Sequence, residues 1–182
     1  ENETLYRKFK RQGLPKREIT SLIAENLDVR KILKESAKNW DGGYVIAGLF
    51  GHGDAFVMRD PAGIRPAYYY HDDEIVVATS ERPVIQTALN VPCGSVHELP
   101  PGSALVIKKD GLVRVQEFSK PVTRRSCSFE RIYFSRGTDC EIYRERKHLG
   151  KLLTPAVLGA IDHDLENTVF SFNPNTAIGA FH

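Results

Sequence analysis

Three cysteines, Cys93, Cys127 and Cys140, carry the strongest nucleophiles of the chain. A cysteine acts as its thiolate, so it works where a base or a positive charge stands beside it. Three is an odd number, and their spacing does not suggest a disulfide framework. A reducing compartment, the cytoplasm, is the expectation. Asp162-His163-Asp164 has the residue types for a divalent cation, but adjacent side chains point in different directions. A solvated turn is the simpler reading. Gly48, Gly51 and Gly53 do not fit a GxGxxG loop opening a helix, and a hairpin turn accounts for them. Arg59-Asp60-Pro61-Ala62-Gly63-Ile64-Arg65 is more pointed. Asp caps such a turn, Pro presets φ at the next position and Gly closes it. Arg59, Asp60, Gly63 and Arg65 are therefore read as a structural turn, with ion pairing among Arg59, Asp60 and Arg65 across it, rather than as direct ligand contacts.

The elements that must position these groups centre on Asp41–Arg82. The apolar runs Tyr44–Phe50, Ala55–Met58, Ala67–Tyr70 and Glu74–Ala78 are rich in β-branched and aromatic residues and are separated by turn-coded gaps. They predict an antiparallel meander, and their near-continuous hydrophobicity predicts a sheet covered on both faces. Upstream, Leu5 and Phe9, then Ile19, Leu22 and Ile23, then Val29, Ile32 and Leu33 recur with helical spacing. Gly13-Leu14-Pro15 separates the first helix from the second, and Asp28 is a fitting N-cap for the third. Pro83 belongs in the first turn of a helix ending near Leu89. Lys109-Asp110-Gly111 between apolar runs predicts a closing hairpin. Residues 119–126 are polar and read as a linker. Beyond them, Ile132, Tyr133 and Phe134 read as a short buried strand. Leu149, Leu152, Leu153, Ala156 and Val157 fall on one helix face, with Pro155 at a kink or an end. Thr168–Phe172 reads as a strand running into a loop.

Composition narrows the classes. The chain has 182 residues, a formal net charge of +2 and 41% hydrophobic residues, ordinary values for a globular protein. Arg7, Lys8, Lys10, Arg11, Lys16 and Arg17 crowd near the start, but acidic residues resume at Glu18. A solvated helix face is the reading, and no nucleic acid is expected. No apolar run reaches the ~20 residues of a membrane span, so no membrane partner is expected.

Arg59-Asp60-Pro61-Ala62-Gly63-Ile64-Arg65-Pro66-Ala67-Tyr68-Tyr69, followed by Ala78-Thr79-Ser80-Glu81, resembles the signature of class II glutamine amidotransferases. Pro100-Pro101-Gly102 resembles the segment preceding their closing strands. Cys127-Ser128-Phe129-Glu130-Arg131-Ile132-Tyr133-Phe134-Ser135-Arg136, with Tyr143, Arg146, Leu149 and Gly150, is similar to a stretch of amidophosphoribosyltransferases, from which it departs at Gly137-Thr138-Asp139-Cys140. The resemblance implies an α+β chain: part of a four-layer αββα N-terminal-nucleophile hydrolase fold over 1–120, a linker at 121–126, and the start of an α/β phosphoribosyltransferase domain over 127–182.

It also implies an activity for the parent enzyme. Glutamine is hydrolysed to ammonia, which attacks C1 of phosphoribosylpyrophosphate in the first step of purine synthesis. Such glutaminases use an N-terminal cysteine, whose thiolate attacks the amide while its free α-amine moves the proton. The present sequence opens with Glu1 and holds no Asn-Gly pair for the oxyanion. No catalytic or substrate-binding residue is therefore expected in this stretch, and the stretch alone is expected to be inactive. Magnesium would accompany phosphoribosylpyrophosphate in the full-length family, and the parent is expected to be a homo-oligomer. Cys127 matches a position that ligates an iron–sulfur cluster in some members. A cluster needs about four thiolates, so a small buried residue is the expectation, with no metal and no cofactor in this chain. Tyr133 and Arg136 are the candidates for the seam between the two family domains, across which ammonia passes. Two other readings stand beside this one: a non-enzymatic interaction module derived from the fold, and an asparagine-synthetase-like glutaminase.

Overall fold

A computed structural model describes residues 1–182. In chain order it contains α1 (Asn2–Arg11), α2 (Lys16–Asn26), α3 (Val29–Ser36), β1 (Val45–Leu49), β2 (Ala55–Arg59), β3 (Tyr68–His71), β4 (Val76–Thr79), α4 (Arg82–Leu89), β5 (His97–Glu98), β6 (Ser103–Ile107), β7 (Val113–Glu117), α5 (Cys140–Ala160) and α6 (Ile178–Phe181). The mixture is α+β, as expected. Contacts divide it into two interleaved units, Glu1–Ala67 with Glu98–Arg125 and Tyr68–His97 with Ser126–His182.

In the first unit, Asp28 starts α3 by accepting the Lys31 N–H at 3.0 Å, satisfying one of the free amides of the first turn. The apolar spacing of α3 buries Val29 and Leu33 against Met58, Ala104, Val106 and Phe118. The sheet beneath is antiparallel in the order β1-β2-β6-β7. Its centre is β6, where Ser103 through Val106 are all buried. The edge strands differ from the expectation of two covered faces. β1 alternates, leaving Val45 and Leu49 exposed, and β7 exposes Val115. The closing hairpin from β6 to β7 forms where Asp110 and Gly111 place it, with Gly111 at φ 89°.

The meander expectation is also corrected. β1 and β2 form one hairpin and β3 and β4 another, but β2 pairs onward with β6, while the second hairpin joins β5 in a separate sheet ordered β4-β3-β5. The connection from β2 to β3 contains Pro61 and Pro66, which lack ladder donors. It turns the chain out of the first sheet instead of reversing it tightly.

In the second unit, Tyr68 pairs with Thr79, and α4 covers the hairpin through a cluster of Tyr68, Ile85 and Val96. Pro83 sits in the first turn of α4, and Asn90 ends it at φ 52°. Asp139 caps α5 by accepting from Glu141 and Ile142 N–H groups at 2.9 and 3.2 Å. The helix passes through Pro155 to Ala160 without ending there. Its expected apolar face is present but open, with Leu149, Leu152 and Leu153 all exposed.

Two expected strands are absent. Glu130–Phe134 is a single π-helical turn, in which the Ser135 N–H reaches Glu130 O at 2.7 Å. Arg146 occupies the Arg131 and Ser135 carbonyls at 3.3 and 2.6 Å. The backbone groups find these partners and need no neighbouring strand, and Ile132, Tyr133 and Phe134 point outward. Thr168–Phe172 makes no ladder and leaves Val169 94% exposed. A strand requires a partner, and β-branched residues alone do not supply one.

Core and open apolar positions should respond differently to truncation. Met58→Ala, at a site 1% exposed, is expected to lower the unfolding free energy by about 2–5 kcal/mol. Leu152→Ala, at a site 64% exposed, should stay within about 0.5 kcal/mol of the parent. Urea denaturation of the two variants checks both.

Candidate functional site

The Arg59 to Arg65 segment forms a buried polar centre at the end of β2 in the first unit. Arg59 is 1% exposed and Asp60 0%. The Arg59 guanidinium donates Nε to Arg65 O at 2.7 Å. It also donates Nη1 to Glu98 Oε1 at 2.8 Å and Leu99 O at 2.7 Å, and Nη2 to Gly63 O at 3.2 Å. Its carboxylate partner is thus Glu98, which also accepts from Arg124 Nη2 at 2.6 Å. Arg59 thus reaches a carboxylate outside the turn, 39 positions away.

Asp60 uses its carboxylate on the backbone. Oδ1 accepts the Ala62 and Ile64 N–H groups at 3.1 and 2.9 Å, and Oδ2 accepts that of Arg65 at 3.1 Å. Its own carbonyl accepts from Gly63 and Gly102. Gly63 turns at φ 62°, and a Cβ there would lie 2.9 Å from Pro101 Cγ. Gly102 is tighter still, at φ 70° with a Cβ position 2.3 Å from Ser119 O. The turn carbonyls Pro61 O and Ala62 O take the Val122 and Arg125 N–H groups, which ties 121–125 to this segment. Through these bonds Arg59 and Asp60 hold the turn backbone in one geometry.

A second charged group in the first unit joins residues far apart in sequence. Asp54, buried at the turn between β1 and β2, accepts from the Lys109 N–H at 2.9 Å, pairs with Lys108 Nζ and lies 3.1 Å from His52 Nε2. Burial pushes the Asp54 carboxyl up, but hydrogen bonds from Lys108, Lys109 N–H and His52 outweigh it and hold the group below the usual carboxylate range. An open cleft of about 780 Å³ beside it is lined by Thr20, Ser21, His52 and Lys108. Only the glycine turn was legible there, because Lys108 is 54 residues from Asp54.

In the second unit, the Tyr133 ring is exposed and meets Phe134 edge-on at 5.3 Å. Arg136 Nε lies 3.4 Å from Glu81 Oε2. Cys127 is a free, partly buried thiol. Asp162 and His163 both adopt positive φ in the turn after α5, and no group of three or more His, Cys, Asp or Glu side chains converges as a metal site would. Arg82 is more connected than its sequence context suggested. It lies 5.0 Å over the Tyr68 ring, donates to Glu141 Oε2 at 3.0 Å and approaches Asp139 Oδ2 at 3.7 Å. Burial opposes its charge, and Glu141, Cys93 and Asp139 more than restore it, holding its pKa above the ordinary arginine value.

Two measurements test these assignments. Asp60→Ala orphans three turn amides and is expected to cost about 2–5 kcal/mol. Asp60→Asn should fall between it and the parent in urea titrations, since an amide oxygen still accepts while its NH₂ opposes a backbone donor. For Asp54, the folded pKa lies below the unfolded value of about 3.9. Its stabilisation is present above that value and lost as pH falls through the folded one. The stability difference between the parent and Asp54→Asn should therefore be full at neutral pH and shrink below about pH 4, as followed by thermal unfolding across the acid range.

No family model matches the chain. The amidophosphoribosyltransferase of Pasteurella multocida is 30% identical over 135 residues, covering 69% of this chain and 26% of that protein. That of Bacillus subtilis is 29% identical over 151 residues, covering 81% of this chain and 30% of that protein. A solved glutamine phosphoribosylpyrophosphate amidotransferase from B. subtilis, complexed with ADP and GMP, superposes over 98% of this chain and 39% of its own, with TM-score 0.61 and 23% identity. A structure described as the allosteric regulatory enzyme of purine biosynthesis gives TM-score 0.64 over 98% of this chain and 38% of its own, at 23% identity. The chain is accordingly a relative of the amidophosphoribosyltransferases, and it spans 26–30% of the length of these two curated relatives.

Proposed function

We propose that this chain is part of a glutamine-dependent amidophosphoribosyltransferase, with residues 1–120 contributing to the glutaminase domain and 127–182 to the phosphoribosyltransferase domain. The observation that carries the reading is the extent of the match. A similarity covering 81% of the chain is too long to fit within residues 1–120 and extends past the expected linker. An asparagine-synthetase-like glutaminase would share only the first part.

In such an enzyme an N-terminal cysteine thiolate attacks the glutamine carboxamide, and its own α-amine carries the proton to the departing ammonia. Cys93, Cys127 and Cys140 do not fill that role, because their nitrogens are peptide amides without a free lone pair. The ammonia then attacks C1 of phosphoribosylpyrophosphate, forming the C–N bond as diphosphate leaves. Magnesium would serve that step by neutralising the diphosphate oxygens. The part played by this stretch is positional. Arg59 and Asp60 hold the glutaminase sheet and its following turn in one geometry, and Tyr133 with Arg136 would lie toward the path that ammonia takes.

The test is made on the protein as its source cell produces it, by measuring its N-terminal residue and its glutamine-dependent consumption of phosphoribosylpyrophosphate. The expected result is a longer product beginning with cysteine that releases diphosphate when glutamine is supplied. The isolated 182-residue chain serves as control and should release no ammonia from glutamine. Hydrolysis by that control, persisting when Cys93, Cys127 and Cys140 are all replaced by serine, would overturn the assignment of the nucleophile.

A further inference from the structure

Cys93 and Cys140 are 47 residues apart in sequence, yet their Sγ atoms lie 3.9 Å from each other within the second unit. Cys93 opens the 3-10 turn Cys93–Ser95 that follows α4, and Cys140 is the first residue of α5. Both thiols are free, and Cys140 is exposed. A disulfide has an S–S length of about 2.05 Å, so the sulfurs need to approach by roughly 2 Å. That is less than the arc a sulfur sweeps between neighbouring staggered rotamers.

One side chain bridges the two segments that carry the sulfurs. Arg82, at the start of α4, donates Nη1 to Cys93 Sγ at 3.7 Å and Nη2 to Glu141 Oε2 at 3.0 Å, one residue beyond Cys140. It also faces Asp139, the N-cap of α5. One guanidinium thus binds both segments that carry the sulfurs. The hydrogen bond to Cys93, then partial loss of solvent around it, push the Cys140 thiol up from its ordinary value.

We propose that Cys93 and Cys140 are a reversible disulfide pair, closed by exchange with a low-molecular-weight disulfide such as glutathione disulfide, which fastens the start of α5 to the turn after α4. The exposed Cys140 loses its proton to water and attacks one sulfur of the small disulfide, releasing one thiolate. Cys93, also losing a proton, then attacks Sγ of Cys140 in the mixed disulfide, forming the internal bond and releasing the second thiolate. Two protein thiols are oxidised, one small disulfide is reduced to two thiols, and excess thiol reverses both steps. Neither the glutaminase nor the transferase reading is needed for this chemistry.

The experiment equilibrates the full chain with glutathione buffers of rising oxidised fraction, quenches with an alkylating reagent and maps linked peptides by mass spectrometry without reduction. The expected result is a peptide joining Cys93 to Cys140 that grows with the oxidised fraction, disappears on return to reduced glutathione and persists in Cys127→Ser. In Cys93→Ser, Cys140 should stop at the mixed disulfide with glutathione. The proposal is overturned if the parent chain shows Cys140 joined only to glutathione while Cys93 stays alkylatable, or if the internal bond forms with Cys127. The mapping on the parent chain decides the matter even where a variant folds poorly.

Discussion

The first unit depends on a fully buried arginine meeting four acceptors at once. A guanidinium removed from water costs several kcal/mol unless its fork is filled. Arg59 fills it from four places: the carboxylate of Glu98 and the carbonyls of Gly63, Arg65 and Leu99. Each acceptor must hold still for the others to count, and Asp60 secures this by pinning the turn amides from the other side. Much of the surrounding geometry follows. Gly63 and Gly102 are required where backbone passes closely, and the segment up to Arg125 is drawn onto the same turn.

That dependence explains why this stretch of sequence is so recognisable. The Asp-Pro-Ala-Gly turn was legible because its chemistry is local, each residue acting within five positions of the next. The partner that neutralises Arg59 was not legible, since Glu98 belongs to a strand 39 residues on and only the folded chain brings it near. The helices were readable for the same local reason: Asp28 caps and Leu33 buries through contacts that period and capping chemistry encode. The meander failed at the step that is not local. Hairpins are visible in sequence, but the choice of β6 as the next neighbour of β2 is made by packing under α3.

The second unit shows the converse limit. Ile132-Tyr133-Phe134 and Thr168–Phe172 have strand-like composition without strand-like surroundings, and composition alone misread both. Arg82 had no sequence signature either, yet it organises Tyr68, Cys93, Asp139 and Glu141 around one charge. Buried or half-buried arginines are the points at which distant segments meet in both units. Their roles emerge only from three-dimensional partners.

The interleaving of the two units has a consequence for how the protein is made. The chain leaves the first unit after Ala67 and returns at Glu98, so a ribosome delivers β3, β4 and α4 before β6 exists. Until then β2 has β1 on one side and an open edge on the other, and Arg59 lacks the Glu98 and Leu99 acceptors that complete its fork. The hairpin of the second unit can pair from contacts close in sequence, while the first sheet must wait for a long-range ladder. Synthesis therefore exposes an unpaired strand edge for the time taken to translate the chain from Arg59 to the β6 residues Ser103–Ile107, on the order of a few seconds, a window in which a chaperone or the nascent chain's own later strand must claim it.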